Sequence, residues 1–252
     1  MRKLVLTLLL GTLSIVSCTD NVLTTNNESP NLGVVESRGI NNLTFEFPAI
    51  QWGKFETHEQ KIAACEIPDS ILSDIPTEEL VEICMKYPLL LDAYAFNTPL
   101  QGIKTVASRF NGFKELMGRE DNCIHILGYL KQSDITKKDF SKMTQIEAGR
   151  LTLVYALAEY VLSFDKVLSN ATEGIANEID AFVADVMNCK ESQCSYHALG
   201  SLTSSVYLWA SIQTKRSKSR SVNPIVDQFL ETGLILNQEQ YWEIKQQCQT
   251  VK

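Results

Sequence analysis

The stretch Leu151-Thr-Leu-Val-Tyr-Ala-Leu-Ala-Glu159-Tyr-Val-Leu-Ser-Phe164 decides the fold class. It is apolar on nearly every face, and Glu159 is its only charge. A helix that is hydrophobic all round has to be buried among other helices. The stretch is shorter than the about 20 residues a membrane crossing needs, and no basic cluster flanks it. It therefore reads as the central helix of a soluble body.

The segments on either side carry helix signals of their own. Towards the C-terminus, Ile175, Ile179, Phe182, Val183 and Val186 share a face over 172–189, and Leu199, Leu202, Val206, Leu208 and Trp209 do so over 194–212. A link as short as Cys189 to Cys194 makes those two helices antiparallel neighbours. Asn223-Pro224 predicts a helix start and Gly233 its end, and Asn237 with Gln240 predicts a capping box for the last helix.

Towards the N-terminus, Thr77-Glu78-Glu79 after Pro76 predicts an N-cap oxygen and two acids in a first turn, with Leu80, Ile83, Cys84 and Tyr87 on one face and a break at Pro88. Pro99 opens a stripe of Ile103, Val106, Phe110, Phe113 and Met117 that reads as one helix. Gly112 lies inside it, at a close approach or bend. Residues 122–131 predict a short helix containing Ile124, Leu127 and Leu130. Leu43-Thr-Phe45-Glu-Phe47 alternates like a strand up to Pro48 but has no evident partner, so it is expected to lie extended on the helical body. The resulting expectation is all-α: an irregular bundle of about eight to ten helices with a short extended N-terminal segment.

Composition agrees and narrows the function. Of 252 residues, 44% are hydrophobic and 21% charged, enough apolar material for a sizeable core. With 23 Lys+Arg against 30 Asp+Glu the formal charge is −7, which argues against a nucleic acid as partner, because such binding needs a basic surface.

The first residues form an export leader. Arg2 and Lys3 precede an apolar run from Leu4 to Val16, which Thr19-Asp20-Asn21 follows closely. The run ends in Ile15-Val16-Ser17-Cys18, which resembles the lipobox of bacterial lipoproteins, with Ile15 in place of the commoner Leu. That resemblance implies acylation of Cys18 and removal of residues 1–17, the rival reading being an ordinary secretory signal cleaved after Ser17 or nearby; loss of Arg2 and Lys3 takes the formal charge from −7 to −9. Several acyl chains anchor a protein stably where one is marginal. The partner implied is the lipid bilayer, reached through acylated Cys18, on the periplasmic or the surface face of the outer membrane. Residues 18–42, rich in Asn, Thr, Ser and Gly, read as a flexible tether of roughly 25–30 Å reach. Residues 43–252 then form one helical domain.

A second resemblance lies in the body. Ile75-Pro76-Thr77-Glu78-Glu79-Leu80 through Lys86-Tyr87-Pro88-Leu89-Leu90, with Ala95-Phe96-Asn97, Gly102 and Phe110-Asn111-Gly112-Phe113-Lys114-Glu115-Leu116, is similar to a recurring block of exported Bacteroidota proteins. It spans roughly residues 65 to 120 and implies an exported helical protein. It brings no catalytic residue.

Chemistry-bearing residues are sparse in pattern. Cys65, Cys84, Cys123, Cys189, Cys194 and Cys248 remain after Cys18. In an exported chain Cys189 and Cys194, at the two ends of a helix-to-helix turn, are the pair nominated for a disulfide, worth about 2 kcal/mol or less for so short a loop. The rest read as small buried hydrophobes. Cys194 and His197 are the candidates for a thiol enzyme. Cys189-x4-Cys194-x2-His197 offers three soft ligands without the fourth that a closed zinc site needs, so no metal or other cofactor is assigned. His58, His125 and His197 are scattered. The basic run Lys215-Arg216-Ser-Lys218-Ser-Arg220 is expected as an exposed loop and a docking candidate for an acidic partner or polyanion. The reading is a lipid-anchored cell-envelope protein with a non-enzymatic interaction or accessory role and an envelope or extracellular protein partner. The alternative is an exported thiol-dependent or other hydrolase with its site between helices.

Overall fold

The helical period carries through the body as twelve α-helices among the described residues: α1 (His58–Ala63), α2 (Asp69–Leu72), α3 (Thr77–Met85), α4 (Pro99–Arg109), α5 (Asn111–Gly118), α6 (Asn122–Gln132), α7 (Gln145–Leu162), α8 (Asp165–Leu168), α9 (Glu173–Ser192), α10 (Leu199–Ser217), α11 (Pro224–Thr232) and α12 (Gln238–Gln249). Four 3-10 turns and a two-stranded antiparallel sheet, β1 (Val35–Ser37) and β2 (Leu43–Phe45), complete the set. The computed structural model describes residues 35–37, 43–192, 199–217 and 224–249, all within the compact unit Leu32–Lys252; for 35–37, 43, 44, 199, 217 and 249 only the backbone is described. The fold is all-α and multi-helical, with more helices than expected, several of them only one or two turns long. No helix among the described residues is long and apolar enough to cross a membrane.

Thr144 launches α7. Its hydroxyl accepts from the Glu147 amide at 3.2 Å, while the Glu147 carboxylate accepts from the Thr144 amide at 2.9 Å. This reciprocal cap satisfies two orphan donors and starts the helix well before the apolar stretch. The two halves of α7 differ as a result. Every residue from Tyr155 to Leu162 is buried, whereas Ile146 in the first half is 84% exposed. α7 packs on α4, α6 and α10. α10 is a second hub, touching α7, α9, α11 and α12. Bonds of Lys190 to the Ser201 carbonyl and of Trp209 to Asp180 show α9 and α10 running antiparallel, as the short link required.

Four local expectations are corrected. Leu43–Phe45 does find a partner strand: β1 pairs with it in the register Val35↔Phe45, Glu36↔Thr44, Ser37↔Leu43. Pairing thus begins inside the segment read as tether. Phe45 and Phe47 pack on the helices as expected, Phe47 lying 6.0 Å from the Phe110 ring. Thr77 is the first helical residue rather than a cap, and its hydroxyl donates instead to Asp121 at 2.8 Å.

The stripe after Pro99 is two helices, broken at an extended Phe110. Two contacts hold that break. Phe110 stacks on Tyr87 at 4.2 Å, and Asn111 clasps the Ile67 backbone, accepting from its amide at 3.1 Å and donating to its carbonyl at 2.7 Å. Gly112 then sits against the Phe110 ring, where a Cβ would come within 2.5 Å. Lastly, the capping box of α12 is shifted by one residue. Asn237 accepts from the Gln240 amide at 2.9 Å, but Gln240 reaches back to the Leu236 amide at 2.8 Å. Gly233 ends α11 at φ +69°, the left-handed conformation that favours glycine. Asn223 lies outside the described residues.

Candidate functional site

The strongest concentration of polar chemistry is inside the body. Glu159 of α7 and Lys190 of α9 are 1% and 0% exposed and form an ion pair at 2.7 Å. The Lys190 ammonium also donates to Ser205 Oγ at 2.8 Å and to the Ser201 carbonyl at 2.9 Å, so its three protons are placed. Ser205 donates to Glu159 Oε1 at 2.6 Å and Ser204 to Oε2 at 2.5 Å. The Tyr155 ring lies 5.2 Å from Nζ. Burial pulls the Lys190 ammonium below its ordinary value, and the Glu159 carboxylate opposes that pull.

A lysine beside a serine suggests an activated nucleophile, which requires a neutral amine as base. Here the lysine spends a proton on the serine oxygen, Glu159 favours its charged form, and both serines are fully buried. The centre is a brace that fixes α9 and α10 against α7. Burying an ion pair gives little net stability, but a buried charge without its partner is very unfavourable, so arrangements that separate Glu159 from Lys190 are penalised.

Two further networks tie the C-terminal helices together. Glu191 accepts from Tyr241 at 2.6 Å and Lys245 at 2.5 Å, joining α12 to α9. Asp180 accepts from Trp209 at 2.7 Å, Gln213 at 2.6 Å and Arg216 at 2.8 Å. The basic run is therefore not wholly a loop: Lys215 and Arg216 form the last turn of α10, and Arg216 is committed to Asp180 and Asn177. Lys215 is exposed, while Lys218 and Arg220 lie outside the described residues.

The other sequence candidates are dispersed. Cys18, Cys194 and His197 lie outside the described residues, so the Cys189–Cys194 pair, the Cys194–His197 dyad and the lipid site have no geometry here. Cys189 is half-buried in α9; burial raises its thiol, Asp134 adds to that and Lys190 opposes it. Burial pushes Cys65 and Cys248 up to about 12 and Cys123 to about 11, and raises Cys84 well above the usual range. These four are protonated core thiols, poor nucleophiles at neutral pH. His58 lies 3.9 Å from Asp92 and His125 3.3 Å from Asp121, on separate elements. Among the described residues no cluster of three metal-ligating side chains forms.

Open concave surface borders the outer face of α4. The inner face is set by Gly102, where a Cβ would lie 1.8 Å from the Ala93 carbonyl oxygen, so α4 seats directly on the 3-10 turn Leu90–Ala95. Thr98 caps the helix by accepting from the Gln101 amide at 3.0 Å. Gln101, Lys104, Thr105 and Ser108 consequently point outward. On one side a cleft of about 340 Å³ is lined by Thr98, Gln101, Lys104, Thr105, Glu231 and Thr232, among others. On the other, a cleft of about 320 Å³ has an apolar floor of Ala107, Met117 and Phe164, with Lys104, Lys114 and Lys166 exposed around it. Lys104 and Ser108 line both. Sequence reasoning missed this cleft because its lysines come from α4, α5 and α8 and form no run. No family model, curated protein or solved structure matches the chain.

Proposed function

We propose that this protein is a lipid-anchored component of a bacterial cell envelope, exported by its leader, acylated at Cys18, and acting as a non-enzymatic interaction or accessory protein. The observation that carries the reading is an order of segments: a basic start, an apolar run, Ile15-Val16-Ser17-Cys18, then an Asn- and Thr-rich stretch ahead of the helical body. Acyl chains on Cys18 supply the membrane affinity that a chain of charge −9, once the leader is removed, would not find at an anionic bilayer. The character of the body supports an interaction role. Its buried charges and core thiols are locked into packing, and its open polar groups line shallow clefts beside α4.

The test is metabolic labelling with an alkyne fatty acid, followed by fractionation. The native chain should take up label and fractionate with membranes, and Cys18→Ser should lose the label and leave that fraction. An unlabelled native chain, or membrane residence unaffected by Cys18→Ser, overturns the anchor. Protease treatment of intact cells then separates surface display from the periplasmic face.

A further inference from the structure

Lys104, Lys114 and Lys166 come from three helices and converge on one cleft. Among the described residues none of them has an acidic ion-pair partner, whereas Lys86, Lys131, Lys137, Lys142, Lys190 and Lys245 each do. Asp165 is the one acid that lines the cleft, so its local charge is positive on a chain of net charge −7. An acidic ligand is disfavoured by the net charge of the chain, but in this cleft it meets three ammonium groups. Beneath them lie Ala107, Met117 and the half-buried Phe164, a floor for an apolar group.

The adjoining cleft sets a direction. It shares Lys104 and Ser108 but carries Glu231 among Thr98, Gln101, Thr105 and Thr232. A carboxylate is repelled at that end and attracted at the other, while neutral polar groups suit the hydroxyl and amide lining. From Gln101 to Ser108 the helix rises about 10 Å at 1.5 Å per residue. An extended peptide covers that distance with about three residues.

We propose that the clefts flanking α4 dock an acidic extended segment of a partner protein, with its carboxylates on Lys104, Lys114 and Lys166 and an apolar side chain on the Phe164, Met117 and Ala107 floor. This rests on the interaction-protein reading and names the site and the chemistry of the partner. The contacts are exposed ion pairs, each weak alone, so affinity comes from their convergence and from the apolar anchor, and falls with salt.

The experiment is fluorescence anisotropy with the labelled peptide Gly-Ser-Glu-Glu-Leu-Glu-Ser-Gly. It uses the full chain purified from whichever cell fraction holds it, in phosphatidylcholine nanodiscs if acylated, so failure of the anchor leaves the binding test intact. Saturable binding is expected. It should weaken about tenfold or more in the triple variant Lys104→Gln, Lys114→Gln, Lys166→Gln and on replacing the peptide's Glu by Gln or its Leu by Ser. An equal change of charge elsewhere, Lys54→Gln, Lys138→Gln, Arg150→Gln, should leave it within about twofold. The proposal is overturned by absence of saturable binding, by equal loss in both triple variants, by indifference to the Glu or Leu replacements, or by capture of anionic phosphatidylglycerol vesicles in place of the peptide.

Discussion

Lys190 and Lys166 carry the same ammonium group in opposite settings. Lys190 is fully buried, donating hydrogen bonds to Glu159, Ser205 and the Ser201 carbonyl. Lys166 stands exposed at the rim of a cleft with Lys104 and Lys114. In the first setting the charge is costly to desolvate and must be matched inside the chain, so it serves the fold. In the second, water solvates it at no folding cost, and it remains available to a ligand. Burial decides whether a charge belongs to stability or to recognition.

The sharpest way to break this contrast is Lys190→Met. It leaves Glu159 buried without its ion partner, and a loss of about 3–5 kcal/mol in chemical denaturation is expected. Adding Glu159→Leu removes the stranded charge and should restore at least half of it. A single variant as stable as the native chain would show that the centre is not sealed.

Alkali probes the same interior without mutation. Burial raises the phenols of Tyr87, Tyr155 and Tyr160 above their ordinary value and pushes the thiols of Cys65 and Cys248 to about 12. Unfolded, these groups titrate near about 8.5 for thiol and about 10 for phenol. The folded state therefore holds more protons in that range. The stabilisation is fully present below those unfolded values and is lost as pH rises from there towards the folded ones. Melting temperature should fall steadily above about pH 9, with most of the tyrosinate absorbance appearing together with unfolding.

Smaller effects separate the two faces of α4. Gly102→Ala drives a Cβ into the Ala93 carbonyl, and displacing that turn should cost about 1–3 kcal/mol in denaturant titration. Thr98→Ala removes the cap of the same helix and should cost about 1 kcal/mol. On the outer face, Lys104→Gln, Lys114→Gln and Lys166→Gln should each change stability by no more than about 0.5 kcal/mol, read by the same titration. If a cleft lysine proves as costly as Lys190, the division between brace and recognition surface fails.

Legibility followed the range of the interaction. The buried half of α7 was evident because an apolar stretch with one acid allows few other readings, but the partner of Glu159 was not. Its identity was hidden: many lysines are available, and only the packing of α9 on α10 places Lys190 there. The break at Phe110 was hidden too. Arg109-Phe110-Asn111 contains no breaker; the chain turns because Asn111 satisfies the Ile67 backbone and Phe110 stacks on Tyr87. β1 escaped notice because three residues of backbone pairing leave little trace in a polar, Asn-rich context.

By itself, then, the chain's sequence determined the all-α class, the α7 segment as the apolar axis, Pro99 as a helix start and Gly233 as a helix stop. Each depends on residues within a turn or two of one another, where periodicity, caps and glycine's access to positive φ act directly. Tertiary structure alone decided that Glu159 meets Lys190, that Arg216 is consumed by Asp180, and that Lys104, Lys114 and Lys166 share one cleft. Those pairings join groups far apart along the chain. What selects them is the packing of whole helices, which no local window of sequence contains.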